Sequence, residues 1–125
     1  MRRKLYKKYR KWTASKRALP DFVIVGAQKA GTTSLYDYMI KHPGIDTAIR
    51  KEVHYYDNNY HRGINHYRSH FPLDWNRTTL TGESTPYYRS HPHARSRLAK
   101  DVPDAKIIVM LRKPVDRAFS GYYHS

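Results

Sequence analysis

Cysteine is absent from the 125 residues, which excludes disulfides and thiolate metal sites and leaves the redox compartment open. Long hydrophobic runs are absent too. The longest aliphatic stretch, Phe22-Val23-Ile24-Val25, is far too short to span a bilayer, and the first twenty residues carry too few apolar positions for a signal peptide. Acids are scarce: ten Asp and Glu stand against 24 Lys and Arg, a formal net charge of +14. That excess is uneven. Nine of the bases (Arg2, Arg3, Lys4, Lys7, Lys8, Arg10, Lys11, Lys16 and Arg17) fall in the first twenty residues with no acid among them, leaving fifteen bases against ten acids afterwards. A polyanion partner for the whole chain is therefore a weaker inference than the total suggests. Residues 1–19 read as a flexible basic arm, because blocks of like charge repel and rarely fold.

The remainder has the composition of one globular domain, with 39% hydrophobic residues and ordinary charged and aromatic fractions. Four consecutive apolar residues at Phe22–Val25, mostly β-branched, predict a buried strand. A glycine-rich loop follows, and then Leu35, Tyr36, Met39 and Ile40 recur at helical spacing until His42-Pro43-Gly44 stops them. The spacing of Tyr60, Ile64, Tyr67 and Phe71 predicts a second helix. Short strands are expected at Ile45–Ile49 and Thr79–Gly82. Ser90 is placed to cap a third helix that ends near Val102-Pro103. Lys106–Leu111 reads as a second buried strand, and Pro114 opens a helix carrying Val115, Ala118, Phe119 and Tyr122 on one face. This alternation predicts an α/β fold, a P-loop-like parallel sheet flanked by helices.

Between the first strand and its helix lies Gly26-Ala27-Gln28-Lys29-Ala30-Gly31-Thr32-Thr33-Ser34. Glycines let the backbone curl so that N–H groups converge, and a helix N-terminus adds partial positive charge, so an anion belongs there. A nucleoside-triphosphatase loop would carry lysine directly after the second glycine, where this chain has Thr32. A kinase or hydrolase using the same loop is one alternative function. A nucleic-acid-binding module acting through the basic arm is another. Eight histidines, His91-Pro92-His93 among them, raise the question of a metal. No HExxH or comparable spacing occurs, so no metal is expected. Asn76-Arg77-Thr78 has the N-glycosylation acceptor pattern, which is read only in a secretory lumen.

Pro20-Asp21-Phe22-Val23-Ile24-Val25 followed by the glycine-rich loop resembles the 5′-phosphosulfate loop of the sulfotransferase family. Three more stretches match that family in order: Lys51-Glu52-Val53-His54-Tyr55-Tyr56-Asp57, Gly82-Glu83-Ser84-Thr85-Pro86-Tyr87-Tyr88, and Leu111-Arg112-Lys113-Pro114-Val115-Asp116-Arg117-Ala118-Phe119-Ser120. The likeness is to the heparan-sulfate branch and its bacterial relatives, and covers residues 20–125. It implies the N-terminal portion of a sulfotransferase domain, with 3′-phosphoadenosine 5′-phosphosulfate (PAPS) as donor and a hydroxyl or amine acceptor, carbohydrate above all. No metal, nucleic-acid partner or membrane span is implied. The resemblance makes Lys29 the cation that meets the leaving group and Ala30, Gly31, Thr32, Thr33 and Ser34 the 5′-phosphosulfate cradle. Arg112 and Ser120 become the 3′-phosphate pair, Glu52 the general base, and His54 and Asp57 its supports.

One departure stands out. The heparan branch commonly has a second lysine where this chain has Ser84, so either Lys51 or Arg50 compensates or the acceptor and rate differ from that branch. Family members continue past the 3′-phosphate helix, so the chain is expected to be incomplete as an enzyme and poorly soluble alone. A bacterial source would place it in the cytoplasm, the preferred reading, and a eukaryotic one in the Golgi lumen.

Overall fold

The computed structural model describes residues 2–27, 30–75 and 77–111. Four strands form one sheet, β1 (Phe22–Gly26), β2 (Ile45–Thr47), β3 (Leu80–Ser84) and β4 (Lys106–Val109), in the order β2-β3-β1-β4. Every pairing is parallel, with Phe22 opposite Gly82 on one side and Val23 opposite Ile107 on the other. The helices are α1 (Arg2–Trp12), α2 (Thr32–Met39), α3 (Ile64–Arg68) and α4 (Ala94–Asp101).

The path from β1 to β2 crosses the sheet one way, whereas the steps from β2 to β3 and from β3 to β4 return the other way. Right-handed crossovers then put their helices on opposite faces. The packing follows that rule. Phe22 and Ile24 of β1 meet Leu35, Tyr36 and Met39 of α2. Val23 and Val25 meet Tyr67 of α3, Ala94 and Leu98 of α4, and a layer of aromatic rings. In that layer Tyr55 stacks on Tyr67 at 4.8 Å between centroids, and Tyr56 meets both edge-on. Because β1 is covered on both faces, all five of its residues are buried, as the unbroken apolar run predicts.

Several elements differ from their sequence-based expectation. The basic arm is helical and docked. Arg10 and Arg17 are 7% and 3% exposed. Arg10 donates from Nε to Ser69 O and from Nη2 to Phe71 O, and Arg17 donates from Nη1 to Phe71 O, so two guanidinium groups serve carbonyls just beyond α3. A charge pattern does not report such partners, because they lie more than fifty residues away in sequence. The helix expected from Tyr60 to Phe71 is shorter. A wide turn at Tyr55–Asn59 and a tight one at Tyr60–Arg62 precede α3, whose start is delayed by Gly63 at φ +89°. Ser90 does not cap α4, which begins after His93; its Oγ donates to Tyr87 O instead. The strand expected to be buried at 106–111 is β4, an edge strand with Ile107 48% and Val109 43% exposed; among the described residues it pairs only with β1. An apolar run reports the capacity to be buried, not what covers it. The helix expected from Pro114 lies outside the described residues.

Gly82 is where the sheet is tightest. A Cβ there would collide with Phe22 O and with the Phe22 ring. Gly82→Ala is expected to lower stability by roughly 1–3 kcal/mol, because neither backbone nor ring can retreat from β1. A urea midpoint equal to that of the parent chain would contradict this packing.

Candidate functional site

Parallel α/β sheets place ligands at the carboxyl ends of their strands, where the chain turns into helices. At the end of β1, Gly26 has φ +151°, and a Cβ on it would lie 2.9 Å from Arg89 Cβ and 3.1 Å from Pro86 O. Gly31, at φ +88°, is the residue before α2, and no side chain caps that helix. Its first N–H groups therefore have no partner inside the helix. Thr32 is buried beneath them while Thr33 and Ser34 are exposed. The loop is held from the other side by Met110, whose N–H donates to Gly26 O at 2.7 Å and whose carbonyl accepts from Ala27 N at 2.9 Å. Ala30, Gly31, Thr32, Thr33 and Ser34 thus lie at the turn from β1 into α2 and along its first turn. Gln28, Lys29, Arg112 and Ser120 lie outside the described residues.

The stretch around Glu52 reaches the same edge of the sheet. The Lys51 carbonyl accepts from Ser84 N at 2.9 Å, which ties it to the end of β3. His54 then links two carboxylates, Nδ1 to Asp57 Oδ2 at 2.8 Å and Nε2 to Glu52 Oε2 at 3.0 Å. Burial by itself would lower the His54 pKa, but hydrogen bonds and charge from Asp57 and Glu52 outweigh it, and the net displacement is upward. The His54 backbone is left-handed, at φ 55° and ψ 39°, a conformation that side-chain-bearing residues seldom hold without support. Asp57 is nearly buried (4% exposed side chain) and Glu52 is open (37%), so the line of three groups runs from the interior to solvent. It ends in a cleft of about 590 Å³, with Tyr87, Ser90 and His91 on its wall. Sequence reasoning placed Glu52, His54 and Asp57 in one motif, and the structure joins them in one hydrogen-bonded chain.

Glu83 was not among the expected site residues. It is fully buried. Its Oε1 accepts from Thr85 Oγ1 at 2.5 Å and from Val53 N at 3.2 Å, and its Oε2 accepts from Tyr88 Oη at 3.0 Å. Those two hydroxyls carry the network on: Thr85 Oγ1 accepts from Val53 N and His54 N, and Tyr88 Oη accepts from Tyr55 N. Four hydrogen bonds from the backbone of residues 53–55 thereby end on Glu83 or on groups it orients. This is the support that the His54 conformation requires. Burial raises the Glu83 pKa from 4.5 to about 7, with the hydrogen bonds from Thr85 and Tyr88 and from Val53 N partly offsetting the rise. The strand expected from the sequence ended at Gly82, one residue short of Glu83, and the alternation of a strand cannot say what faces it.

Residues 19–125 match the sulfotransferase domain family model, and the chain belongs to that family. It is 39% identical over 109 residues to the membrane-associated sulfotransferase kil1 of Dictyostelium discoideum, covering 86% of this chain and 23% of that protein. It is 44% identical over 114 residues to the human bifunctional heparan sulfate N-deacetylase/N-sulfotransferase 3, covering 85% of this chain and 13% of the relative. The crystal structure of a sulfotransferase from Alicyclobacillus acidocaldarius superposes with a TM-score of 0.63 at 37% identity, over 86% of this chain and 50% of that one. The chain thus spans about a quarter or less of these curated relatives and half of the solved structure. The parallel four-stranded sheet flanked by helices is consistent with the sulfotransferase fold. No helix among the described residues is long and apolar enough to cross a membrane.

Glu83 makes a testable contribution to pH dependence. The folded carboxyl keeps its proton up to about pH 7, whereas an ordinary one loses it near 4.5. Between those values the folded state binds more protons, so this group's contribution to stability falls as pH rises, by at most about 1.4 kcal/mol per unit. His66, whose pKa is displaced down to about 4, has the opposite slope between 4 and 6.5. Glu83→Gln should therefore remove the downward contribution and leave a steeper upward one, read as urea midpoints from pH 4.5 to 7.5. Identical pH profiles would show that Glu83 does not take up a proton on folding.

Proposed function

We propose that this chain forms the donor-binding and proton-accepting part of an enzyme that moves a sulfuryl group from PAPS to a hydroxyl or amine, with carbohydrate as the acceptor. The observation that carries the reading is the Glu52–His54–Asp57 line, which opens into a cleft at the sheet edge that also presents the bare N-terminus of α2. The names of the sequence relatives, among them heparan sulfate N- and O-sulfotransferases, support it.

Sulfuryl transfer is a problem of alignment and charge. As the acceptor attacks, a bond forms from its oxygen or nitrogen to sulfur, and the bond from sulfur to the 5′-phosphate oxygen breaks. That oxygen keeps the electron pair. Lys29 and the N–H groups at Gly31–Thr33 meet the growing charge, with the hydroxyls of Thr32, Thr33 and Ser34 in the cradle, while Arg112 and Ser120 take the 3′-phosphate. Glu52 accepts the proton lost by the acceptor. When His54 is neutral, its Nδ1 proton goes to Asp57 and its Nε2 lone pair faces Glu52, so the proton on Glu52 has a next station. The place of the family's second lysine is taken by Ser84, which is buried and bonded through its N–H to the Lys51 carbonyl. Lys51, whose carbonyl accepts that hydrogen bond, is assigned its task.

Titration with 3′-phosphoadenosine 5′-phosphate should show binding tighter than that of ADP, and Lys29→Ala and Arg112→Ala should each weaken it at least tenfold. Equal affinity in all three proteins, or preference for ATP with magnesium, would overturn the assignment. Glu52→Gln should leave this binding intact and lower sulfuryl transfer by about 10²–10⁴-fold. Transfer should also decline as pH falls through the raised His54 pKa. Asp57→Asn removes a carboxylate that raises it, so the acidic limb should move to lower pH; a shift to higher pH would contradict the relay.

A further inference from the structure

The docking of α1 against the segments flanking α3 encloses a second cavity, of about 320 Å³, that the sulfuryl-transfer reading does not use. Five permanent cations line it, Lys7, Arg10 and Lys11 from α1 together with Arg50 and Arg62. Among the described residues no carboxylate does. Arg10 is built into the wall by its bonds to the Ser69 and Phe71 carbonyls, which neutralise none of its charge. The remaining cations are exposed at the rim.

Two histidines register the resulting field. Burial, together with His70, Arg62 and Lys11, drives His66 down to about 4, and His70 is also lowered, first by burial and then by Arg10 and Arg50. So much uncompensated positive charge around a concavity of ligand size calls for an anion.

The segment from Arg50 to Asn59 belongs to both sites. Arg50, Val53 and Asn59 line the cavity, Glu52 and Asp57 line the catalytic cleft, and Asn59 Nδ2 donates to the His54 carbonyl at 2.8 Å. Both sites lie along this one segment, so a chain-like ligand can engage both. Among the described residues the cavity wall has no Phe, Tyr or Trp on which a nucleobase could stack, which disfavours single-stranded nucleic acid.

We infer that this cavity binds a sulfate or carboxylate group of an anionic polysaccharide, at a position along the polymer removed from the sugar that receives the sulfuryl group. The inference deepens the proposed function, and rests on it only in naming the polymer as the acceptor. Sulfate and carboxylate groups occur on polysaccharides and as free ions, so both forms must be compared.

The test uses the full chain and a sulfated hexasaccharide, with inorganic sulfate at the same sulfate concentration and a short RNA of equal charge as the other arms. Histidine NMR follows His66, and calorimetry follows affinity. The hexasaccharide should raise the His66 pKa by about one unit or more. Lys11→Gln with Arg62→Gln, both at exposed positions, should weaken binding at least tenfold, while binding of 3′-phosphoadenosine 5′-phosphate stays unchanged. An unmoved His66, or equal hexasaccharide affinity in the double variant, overturns the inference. An equal effect from inorganic sulfate would make the cavity a free-anion site and overturn the polysaccharide part, as would tighter, Lys11- and Arg62-dependent binding of the RNA. Nucleotide binding is read separately, so its loss with hexasaccharide binding retained would count against the proposed function and not against this cavity.

Discussion

A single buried carboxylate holds the candidate site together. Glu83 sits at the carboxyl end of a central strand, where its oxygens can be satisfied only by groups that come to it. Those groups are Thr85 and Tyr88 just downstream and the backbone of the 53–55 segment thirty residues upstream. Leaving such a group without partners in the interior costs several kcal/mol, so the upstream loop has little freedom to lie elsewhere. Its consequence is the left-handed His54, aimed between Asp57 and Glu52.

The sheet supplies the other half of the geometry. Because crossovers leave β1 and β3 in opposite directions, both faces of β1 are covered, and the loop after it emerges at the carboxyl ends of the strands. Gly26 and Gly82 mark how closely this part of the chain is drawn together, one against Arg89 and Pro86, the other against Phe22. The uncapped start of α2 and the Glu52 carboxylate come to the same end of the sheet through these backbone approaches. The aromatic layer of Tyr55, Tyr56, Tyr67 and Phe71 backs the same loop and gives it an apolar floor.

Charge is distributed with a similar logic. The excess of bases concentrates in α1, and α1 is not a loose tail, because Arg10 and Arg17 spend their donors on carbonyls beyond α3. The other α1 bases are then held at fixed positions beside Arg50 and Arg62. A chain read as a modestly basic body with a strongly basic appendage is, once folded, a body with a basic cavity beside the 50–59 segment.

Much was legible in the residues alone. The buried run at Phe22–Val25, the glycine pattern after it and the helical spacing after that have one physical solution, a strand, a turn and a helix, and the structure has the strand and the helix in that order. Glu52, His54 and Asp57 were legible as a group because they lie within six residues of one another. What tertiary structure alone decided is everything that depends on distant partners: Glu83 as the anchor of that group, the docking of α1, the shortened α3 and the exposed face of β4. Local pattern reports what a segment can bury or donate. Which carbonyl, hydroxyl or neighbouring strand it meets is set by a sheet order that no short stretch of the chain contains.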